Sequence, residues 1–174
     1  MALPATRFEF RIALSHVDRA INREEKVIVA RHPSETSQHL ILRVLAWCLL
    51  WEERLEFGVG LSDPDAPDLS TRDLTGELTT WIECGAASER KLSHVLHHTR
   101  AELHFVFDDP KRREALEDPR LHHWQIDTEL IRALAANEER RQKWTVTIVG
   151  DHFYIDADGK SFDGAITRQV FVPE

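Results

Sequence analysis

Hydrophobic and polar residues alternate in several stretches near both ends of the chain. Apolar side chains recur at every second position, which is the period of a strand with one buried face. The stretches are residues 7–14, 26–30, 144–149, 152–156 and 165–172. An aspartate–glycine pair at Asp158 and Gly159 indicates a tight turn between the last two. We therefore predict that antiparallel strands from both chain ends form one small β lobe.

The middle of the chain begins with a helical pattern. Apolar side chains follow Pro33 at spacings of three and four residues, which predicts a helix with one broad buried face. They are Leu40, Ile41, Val44, Leu45, Cys48, Trp51 and Leu55. If His32 caps this helix, Pro33 takes the first helical position and Glu35 the third, where proline and glutamate are both favourable.

Shorter elements follow this helix. Residues 57–61 are apolar and glycine-spaced, which predicts a strand, and the prolines and aspartates of residues 62–72 predict a loop. Residues 77–84 alternate as a strand, and a second helix follows with Ser88 as its N-cap. The remaining predictions are strands at residues 103–107 and 121–126, a short charged helix at residues 111–117, and a helix capped by Asp127 or Thr128.

Length and composition fit a single compact chain. The 174 residues are 42% hydrophobic, which is enough for one packed core. We expect an α+β fold in which residues 31–139 form a mixed sheet flanked by helices, and residues 1–30 and 140–174 form the antiparallel β lobe. Cys48 and Cys84 occupy apolar positions, which favours buried free thiols in a reducing compartment.

The net charge and the absence of targeting or membrane signals limit the binding partners and locations that we expect for this protein. The formal net charge is −8, which opposes non-specific binding to polyanions and lowers the expectation for duplex DNA. The start of the chain is polar too soon for a signal peptide, and no apolar run approaches the roughly 20 residues of a membrane span. We expect a cytoplasmic protein without a membrane partner, and the sequence leaves its oligomeric state open.

Three acidic residues lie where predicted elements begin or end. Glu35 opens the long helix, Asp68 lies just before the next strand, and Glu83 shares a strand face with Trp81. A partly covered carboxylate such as that of Glu83 is costly unless it is paired or binds a metal. Two of the acids also have simpler interpretations, because Glu35 suits the positive end of a helix and aspartates are common in turns.

Basic residues accompany these acids. Glu35, His39 and Arg43 are four residues apart, so they share one edge of the predicted helix, which either borders a cleft or faces solvent. Arg90 and Lys91 fall in the first turns of the second helix, where cations are unfavourable. Their position indicates that they face carboxylates or a phosphate.

Three histidines follow on the second helix. His94, His97 and His98 lie at positions i, i+3 and i+4, a spacing that suits Zn²⁺. No cysteine and no Glu-x-x-His partner completes such a site. Solvent-facing and helix-capping roles are therefore favoured for all three side chains.

Four segments of the chain resemble the YaeQ family of bacterial proteins. They are Arg-His-Pro-Ser-Glu-Thr at residues 31–36, Arg-Val-Leu-Ala-Trp at residues 43–47, Glu-Arg-Leu-Glu-Phe at residues 53–57 and Trp-Ile-Glu-Cys-Gly at residues 81–85. The first three residues and the closing strands fit as well, so the resemblance covers nearly the whole chain. It implies a variant of the PD-(D/E)XK nuclease fold, which is a restriction-endonuclease-like mixed sheet flanked by helices.

The resemblance also implies a set of site residues. In this fold a helix glutamate, a loop aspartate and a strand acid hold Mg²⁺, and a lysine two residues after the strand acid orients water. Matched onto this sequence, the three acids are Glu35, Asp68 and Glu83. The sequence departs from the pattern at the lysine, since Gly85 stands there, and Lys91 in the next helix is the nearest replacement.

These residue types suit phosphodiester chemistry. Mg²⁺ prefers oxygen ligands, lowers the pKa of a bound water and neutralises phosphate charge. Asp68, Glu83 and Lys91 are the expected catalytic residues, and Arg31 and Arg43 are expected to bind the substrate phosphate. The expected function is Mg²⁺-dependent hydrolysis of nucleic acid. The alternative is a non-catalytic binding or regulatory protein that retains the nuclease fold, which the displaced lysine and the acidic net charge favour.

Overall fold

The computed structural model describes residues 3–59, 63–109 and 118–169. Within these ranges the chain forms a mixed α+β fold with one large, nearly closed sheet of ten strands and with three α-helices. The strands are β1 (Thr6–His16), β2 (Ile21–Arg31), β3 (Glu56–Phe57), β4 (Leu69–Arg72), β5 (Leu78–Cys84), β6 (Glu102–Phe107), β7 (Leu121–Ile126), β8 (Arg141–Val149), β9 (His152–Ala157) and β10 (Lys160–Gln169). The helices are α1 (Ser37–Leu49), α2 (Glu89–His98) and α3 (Thr128–Ala135). The α+β prediction is confirmed.

The sheet runs in the order β2-β1-β8-β9-β10-β7-β6-β5-β4-β3. Strands β5, β6 and β7 are parallel to one another, and β10 pairs with β7 and so joins the strands of the chain ends to those of the middle. β1 pairs with β8 in parallel, which corrects the prediction of a purely antiparallel lobe. The chain between these two strands is long enough for the crossover that a parallel pair requires.

The predicted division of the chain falls at strand ends, since β2 ends at Arg31 and β8 begins at Arg141. The sheet and the hydrophobic core nevertheless continue across these positions. One core cluster contains Phe10 of β1, Leu45 of α1 and Ile82 of β5. The division into a core and a lobe stays a prediction.

Helix α1 begins later than the sequence pattern indicated. Thr36 is its N-cap, since the Thr36 hydroxyl accepts a hydrogen bond from the His39 backbone N–H at 3.1 Å. Glu35 lies ahead of the helix, in a turn where its N–H donates to the His32 carbonyl. The prediction that His32 caps the helix is wrong, because Thr36 offers a side-chain acceptor of the preferred type.

Helix α1 is buried on all sides rather than along one face. All ten residues from Leu40 to Leu49 are buried, and they include the charged Arg43. The helix ends at Leu49, so Trp51 and Leu55 lie beyond it, although both pack into the same core. The sheet and α3 therefore surround α1, which becomes the centre of the molecule.

The predicted loop at residues 62–72 ends in a strand. β4 pairs with β5 in antiparallel orientation and buries Leu69 completely, so the loop prediction is wrong for these positions. A strand this short is not predicted from the sequence, because the preceding aspartates and prolines dominate the local composition and indicate a loop. Phe57 lies in β3, but residues 60–61 of that predicted strand and the predicted helix at residues 111–117 lie outside the described residues.

The other element predictions of the middle region are confirmed. β5, β6 and β7 form as predicted, and Ser88 and Asp127 cap α2 and α3 through their side-chain oxygens. Cys48 and Cys84 are buried free thiols, as expected. None of the helices in the described ranges combines the length and the apolarity that crossing a lipid bilayer requires.

Candidate functional site

Four of the predicted site residues line one cleft at the carboxyl end of β5. Glu83 lies in β5, Asp68 directly precedes β4, Glu35 precedes α1, and Lys91 lies in the first turn of α2. Together with His39 they border a cavity of about 420 Å³, which we call the acid cleft. The fold therefore brings these side chains together from four separate elements.

The Asp68 carboxylate is held by the strand beside it. Its Oδ2 accepts a hydrogen bond from the Cys84 N–H at 2.7 Å, and the Asp68 N–H donates to the Ile82 carbonyl. Its Oδ1 lies 4.0 Å from His39 Nε2, beyond hydrogen-bond distance. Burial raises the pKa of Asp68, although the His39 charge and the Cys84 hydrogen bond oppose this shift. Asp68 thus presents to the cleft one oxygen that these contacts do not saturate.

The Glu83 carboxylate is buried beside Trp81, as the strand alternation predicted, and only 3% of the residue is exposed. Its Oε1 accepts a hydrogen bond from Trp81 Nε1 and pairs with Lys91 Nζ, both at 2.8 Å. Within the described ranges, no residue hydrogen-bonds its Oε2. Burial, and after it the negative charge of Asp68, raises the pKa of Glu83 to about 7. An additional cation in the cleft would favour the ionised form.

Lys91 reaches the acid cleft from α2, whose start is fixed by the Ser88 cap. Besides its contact with Glu83, Lys91 Nζ donates to the Ala66 carbonyl at 3.0 Å. Gly85 has a φ of 84°, in the left-handed region that favours glycine. A lysine at position 85 would be strained there, and the Lys91 ammonium already occupies the place beside the strand acid.

Glu35 lies in the acid cleft, but its carboxylate is saturated by protein groups. Arg43 donates from Nε to Oε1 and from Nη2 to Oε2, each at 2.9 Å, and His39 Nδ1 lies 2.7 Å from Oε1. The His32 N–H adds a contact to Oε2 at 3.2 Å. Burial opposes ionisation, but the His39 hydrogen bond and the Arg43 charge lower the pKa of Glu35 below its usual value. Glu35 is therefore ionised and paired, with its oxygens engaged by protein donors.

The predicted shell of three carboxylates is not formed in the described part of the chain. Across residues 3–59, 63–109 and 118–169, no three His, Cys, Asp or Glu side chains are placed to hold one metal ion. The Arg43 guanidinium neutralises Glu35 where the prediction placed a metal. Asp68 and Glu83 remain as carboxylates with an available oxygen, so the candidate ligand set has two side chains.

The two arginines expected to bind the substrate do not reach the acid cleft. Arg43 is fully buried, and its Nη2 also donates to the Ala30 carbonyl at 2.8 Å. Arg31 pairs with Glu138 at 2.9 Å, and its guanidinium carbon lies 5.0 Å from the centre of the Phe8 ring. Burial thus removes Arg43 from solvent, and neither arginine is among the residues that line the acid cleft, so their role in substrate binding stays a prediction.

His39 is a cleft residue to which the sequence analysis gave no role in the site. Its Nδ1 faces Glu35 Oε1 at 2.7 Å, and its Nε2 faces the Cys84 carbonyl at 3.0 Å. Both partners can only accept, so both ring nitrogens donate and the ring is an imidazolium. Burial lowers the pKa of His39, but the Glu35 hydrogen bond and the Asp68 charge outweigh it and raise the pKa. The four-residue spacing of Glu35, His39 and Arg43 was the sequence signal for this cluster.

The histidines of α2 are exposed, as expected, and they do not converge on a metal site. His97 Nδ1 lies 2.6 Å from the Ser93 carbonyl, and His98 Nδ1 lies 2.8 Å from the His94 carbonyl. The rings of His94 and His98 stack with their centres 4.0 Å apart. Each Nδ1 therefore donates to the helix backbone, and the stacked pair presents an aromatic surface to solvent.

Comparison with protein families and known proteins identifies relatives along the whole chain. The family model described as YaeQ protein matches residues 1–165. A relative from Escherichia coli (strain K12), named Uncharacterized protein YaeQ, is 26% identical over 175 residues, which cover 96% of this chain and 97% of the relative. A protein of the same name from Salmonella typhi is 38% identical over 92 residues, which cover 53% of this chain and 51% of that protein.

Two crystal structures share the arrangement of strands and helices. The YaeQ protein from Xanthomonas axonopodis pv. citri matches with a TM-score of 0.86 and 29% identity, over 95% of this chain and 98% of that chain. The YaeQ protein from Pseudomonas syringae matches with a TM-score of 0.86 and 26% identity, over 98% of this chain and 99% of that chain. The mixed fold described above is thus the fold of these solved structures.

Proposed function

The chain belongs to the YaeQ family, and from this premise and the acid cleft we propose that it hydrolyses phosphodiester bonds of nucleic acid with Mg²⁺. The observation that carries the proposal is the buried pair of Asp68 and Glu83, which lies beside Lys91 with one oxygen of each acid unsaturated. Buried carboxylates with raised pKa values in a cleft are typical of functional sites. The resemblance of the sequence to PD-(D/E)XK nucleases suggests the reaction class.

We further propose that β4 to β7, with α1 and α2, form a restriction-endonuclease-like core. This part of the sheet is mixed, since β4 is antiparallel to β5 and β5 to β7 are parallel. Leu69 lies opposite Ile82 in the antiparallel β4–β5 pair. Asp68, which precedes Leu69, and Glu83, which follows Ile82, therefore lie side by side at the same end of this strand pair. This placement agrees with the pattern of a loop aspartate followed by a strand acid.

The two available carboxylates are a suitable ligand set for Mg²⁺. This ion keeps several waters and is usually bound by one or two carboxylates together with substrate phosphates. The raised pKa values of Asp68 and Glu83 reflect buried negative charge that a divalent cation would neutralise. Asp68 and Glu83 would hold the ion, which when bound would lower the pKa of a water and offset phosphate charge.

Lys91 and His39 supply fixed positive charge beside these carboxylates. Lys91 Nζ orients Glu83 through Oε1 and stabilises the negative charge that develops on phosphate oxygens. His39, held ionised by Glu35 and the Cys84 carbonyl, favours the ionised form of Asp68. Both cations act in a partly buried cleft, where charge interactions are stronger than in bulk water.

A second candidate function is non-catalytic binding or regulation by a protein that retains the fold. The Glu35–Arg43 pair favours this candidate, because it removes one carboxylate from the expected ligand set. Gly85 at the lysine position and the net charge of −8 favour it as well.

Cleavage of labelled single-stranded and duplex oligonucleotides with Mg²⁺ or Mn²⁺ separates the two candidates. We expect wild-type protein to cleave, and we expect Asp68→Asn and Lys91→Met each to lower the rate at least about 100-fold, because each removes a charge at the reacting phosphate. Glu138→Gln, which lies outside the acid cleft beside Arg31, is the control and should cleave as wild type does. Cleavage that persists in Asp68→Asn would contradict the assignment of the site. A wild-type protein that cleaves neither substrate would favour the second candidate.

A further inference from the structure

A second cavity lies next to the acid cleft along α2. This cavity, which we call the α2 groove, has a volume of about 790 Å³ and is lined in part by Trp81, Arg90, His94 and His98. Pro64, Ser88 and Lys91 line both cavities. Together the two cavities exceed the roughly 300–1,000 Å³ of pockets that hold one small ligand. The two adjacent cavities therefore fit an extended ligand that passes the two acids.

Two cations, Arg90 and Lys91, line the α2 groove, together with one acid, Asp65. Arg90 is exposed, and no described residue forms a hydrogen bond or an ion pair with its guanidinium. Lys91, whose Nζ pairs with Glu83, is the second cation and lies where the groove meets the acid cleft. Arg90 and Lys91 are thus the positive charges of this groove, in a chain with a net charge of −8. They would attract phosphate next to the acids.

The α2 groove also offers an aromatic surface. Arg90, His94 and His98 are each four residues apart, so they form one row that extends about 12 Å along the helix. The His94 and His98 rings are exposed and stacked, and the hydrogen bond of His98 Nδ1 to the His94 carbonyl fixes the orientation of that ring. Unpaired nucleobases stack on such rings, whereas the bases of a duplex are already stacked on one another.

We propose that the α2 groove binds a single strand of nucleic acid, with Arg90 and Lys91 on its phosphates and the His94–His98 pair under a base. The inference rests on the proposed function and specifies its substrate class. Arg90, His94 and His98 form a single row along α2, which fits one strand rather than the two strands of a duplex. The acidic bulk charge opposes a duplex more strongly than a single strand, because a duplex carries twice the charge per unit length.

Fluorescence anisotropy with a labelled oligonucleotide of about 12 nucleotides, without metal, tests this inference. We expect wild-type protein to bind the single strand about tenfold more tightly than the matching duplex. The double variant His94→Ala/His98→Ala should weaken single-strand binding about tenfold, since a base loses its stacking partner. Arg90→Ala should also weaken single-strand binding. The slope of log affinity against log salt concentration should become shallower by about 0.7, because one phosphate contact is lost.

Two residues of the same helix region are matched controls outside the α2 groove. His97→Ala removes an exposed histidine whose Nδ1 also bonds to a backbone carbonyl, and Arg100→Ala removes an exposed arginine just after the helix. Both variants should bind within about twofold of wild type, since neither removes a contact with the strand. Binding that falls equally in controls and groove variants would overturn the proposal, and so would a duplex bound as tightly as the single strand.

A parallel assay on wild-type protein keeps the two proposals distinguishable. Hydrolysis of bis(4-nitrophenyl) phosphate with Mn²⁺ measures the chemistry without requiring the α2 groove. If wild-type protein hydrolyses this substrate but the groove variants bind the single strand as tightly as wild type does, binding in the α2 groove is rejected and the hydrolase proposal stands. If the groove variants weaken single-strand binding but wild-type protein hydrolyses nothing, binding in the α2 groove is supported and the hydrolase proposal is rejected.

Discussion

Buried carboxylates of two kinds lie within the acid cleft. Glu35 is matched by a guanidinium and an imidazolium, and its pKa is lowered. Asp68 and Glu83 are only partly compensated, and their pKa values are raised. Glu35 therefore stabilises the folded chain through its partners. The ionised forms of Asp68 and Glu83 are unfavourable in the folded protein, and a bound cation would stabilise them.

The Glu35–Arg43 pair predicts a large effect on stability. Arg43→Met leaves Glu35 buried without its main partner, so we expect a loss of about 3–5 kcal/mol in the free energy of unfolding. The double variant Glu35→Gln/Arg43→Met should lose less than Arg43→Met, because it leaves no unpaired charge. Urea unfolding measures both effects. Arg132→Met, which breaks an exposed ion pair, is the control and should cost less than about 1 kcal/mol. A loss in Arg43→Met as small as that in the control would contradict the account.

The raised pKa of Glu83 predicts a pH-dependent stability in metal-free buffer. The folded pKa is about 7 and the usual value is 4.5, so the folded state binds more protons between these values. The contribution is fully present below about pH 4.5 and is lost as pH rises through about 7. Glu83→Gln cannot ionise, so it should be about 3 kcal/mol more stable than wild type at pH 8, with a difference of less than about 1 kcal/mol at pH 5. Urea unfolding in EDTA at both pH values measures this, and an equal difference at the two pH values would refute it.

At the scale of elements, the local signals in the sequence were sufficient for the strand and the helix that carry the catalytic candidates. The alternation of β5 places Glu83 beside Trp81, and the Ser88 cap places Lys91 in the first turn of α2. The partner of Glu35 could not be inferred in the same way. An arginine inside an apolar helical run has the same sequence pattern whether it is buried or exposed, and only the packing around α1 decides.

Contacts between distant segments were the other part that the sequence did not predict. The parallel pairing of β1 with β8 and the short strand β4 depend on partners far along the chain, and neither leaves a periodic signal of its own. Asp68 was nevertheless identified, because the family pattern and its position before a strand both indicated it. The ligand role of Glu35 was inferred from that pattern alone, without information on its neighbours.

The approach of β3 to β4 predicts the effect of a small substitution. A Cβ added at Gly58 would lie 2.1 Å from the Pro67 carbonyl oxygen, and the Gly58 N–H donates to the Asp68 carbonyl. Gly58→Ala should therefore push the Asp68 backbone away, lower the free energy of unfolding by about 2 kcal/mol and weaken Mn²⁺ binding. Gly76→Ala is the control, since nothing lies within 4 Å and only backbone strain is expected. Metal affinity that is equal in the two variants would contradict this view of the strand edge.

At the scale of the whole molecule, a single sheet and a shared core link the chain ends to the middle. The main cluster of buried residues includes side chains of β1, α1, β5, α3 and β9. The acid cleft lies where these parts meet, between the start of α1 and the end of β5. Its geometry therefore depends on the integrity of the entire sheet rather than on one lobe.

This continuity predicts a single cooperative unfolding transition. Tryptophan fluorescence and far-ultraviolet circular dichroism should give coincident urea curves, because the five tryptophans are distributed between the middle and the end of the chain. Two separated transitions would instead support the division of the chain at residues 31 and 140 into parts that unfold independently.

The most direct test of the account is isothermal titration calorimetry with Mn²⁺ as a substitute for Mg²⁺. Asp68 and Glu83 are expected to hold a single ion, so wild-type protein should show saturable binding, and Asp68→Asn and Glu83→Gln should each abolish it. Glu138→Gln, outside the acid cleft, should bind as wild type does. A wild-type protein that shows no binding, or variants at positions 68 and 83 that bind as tightly as wild type, would contradict the proposal that these two acids share an ion.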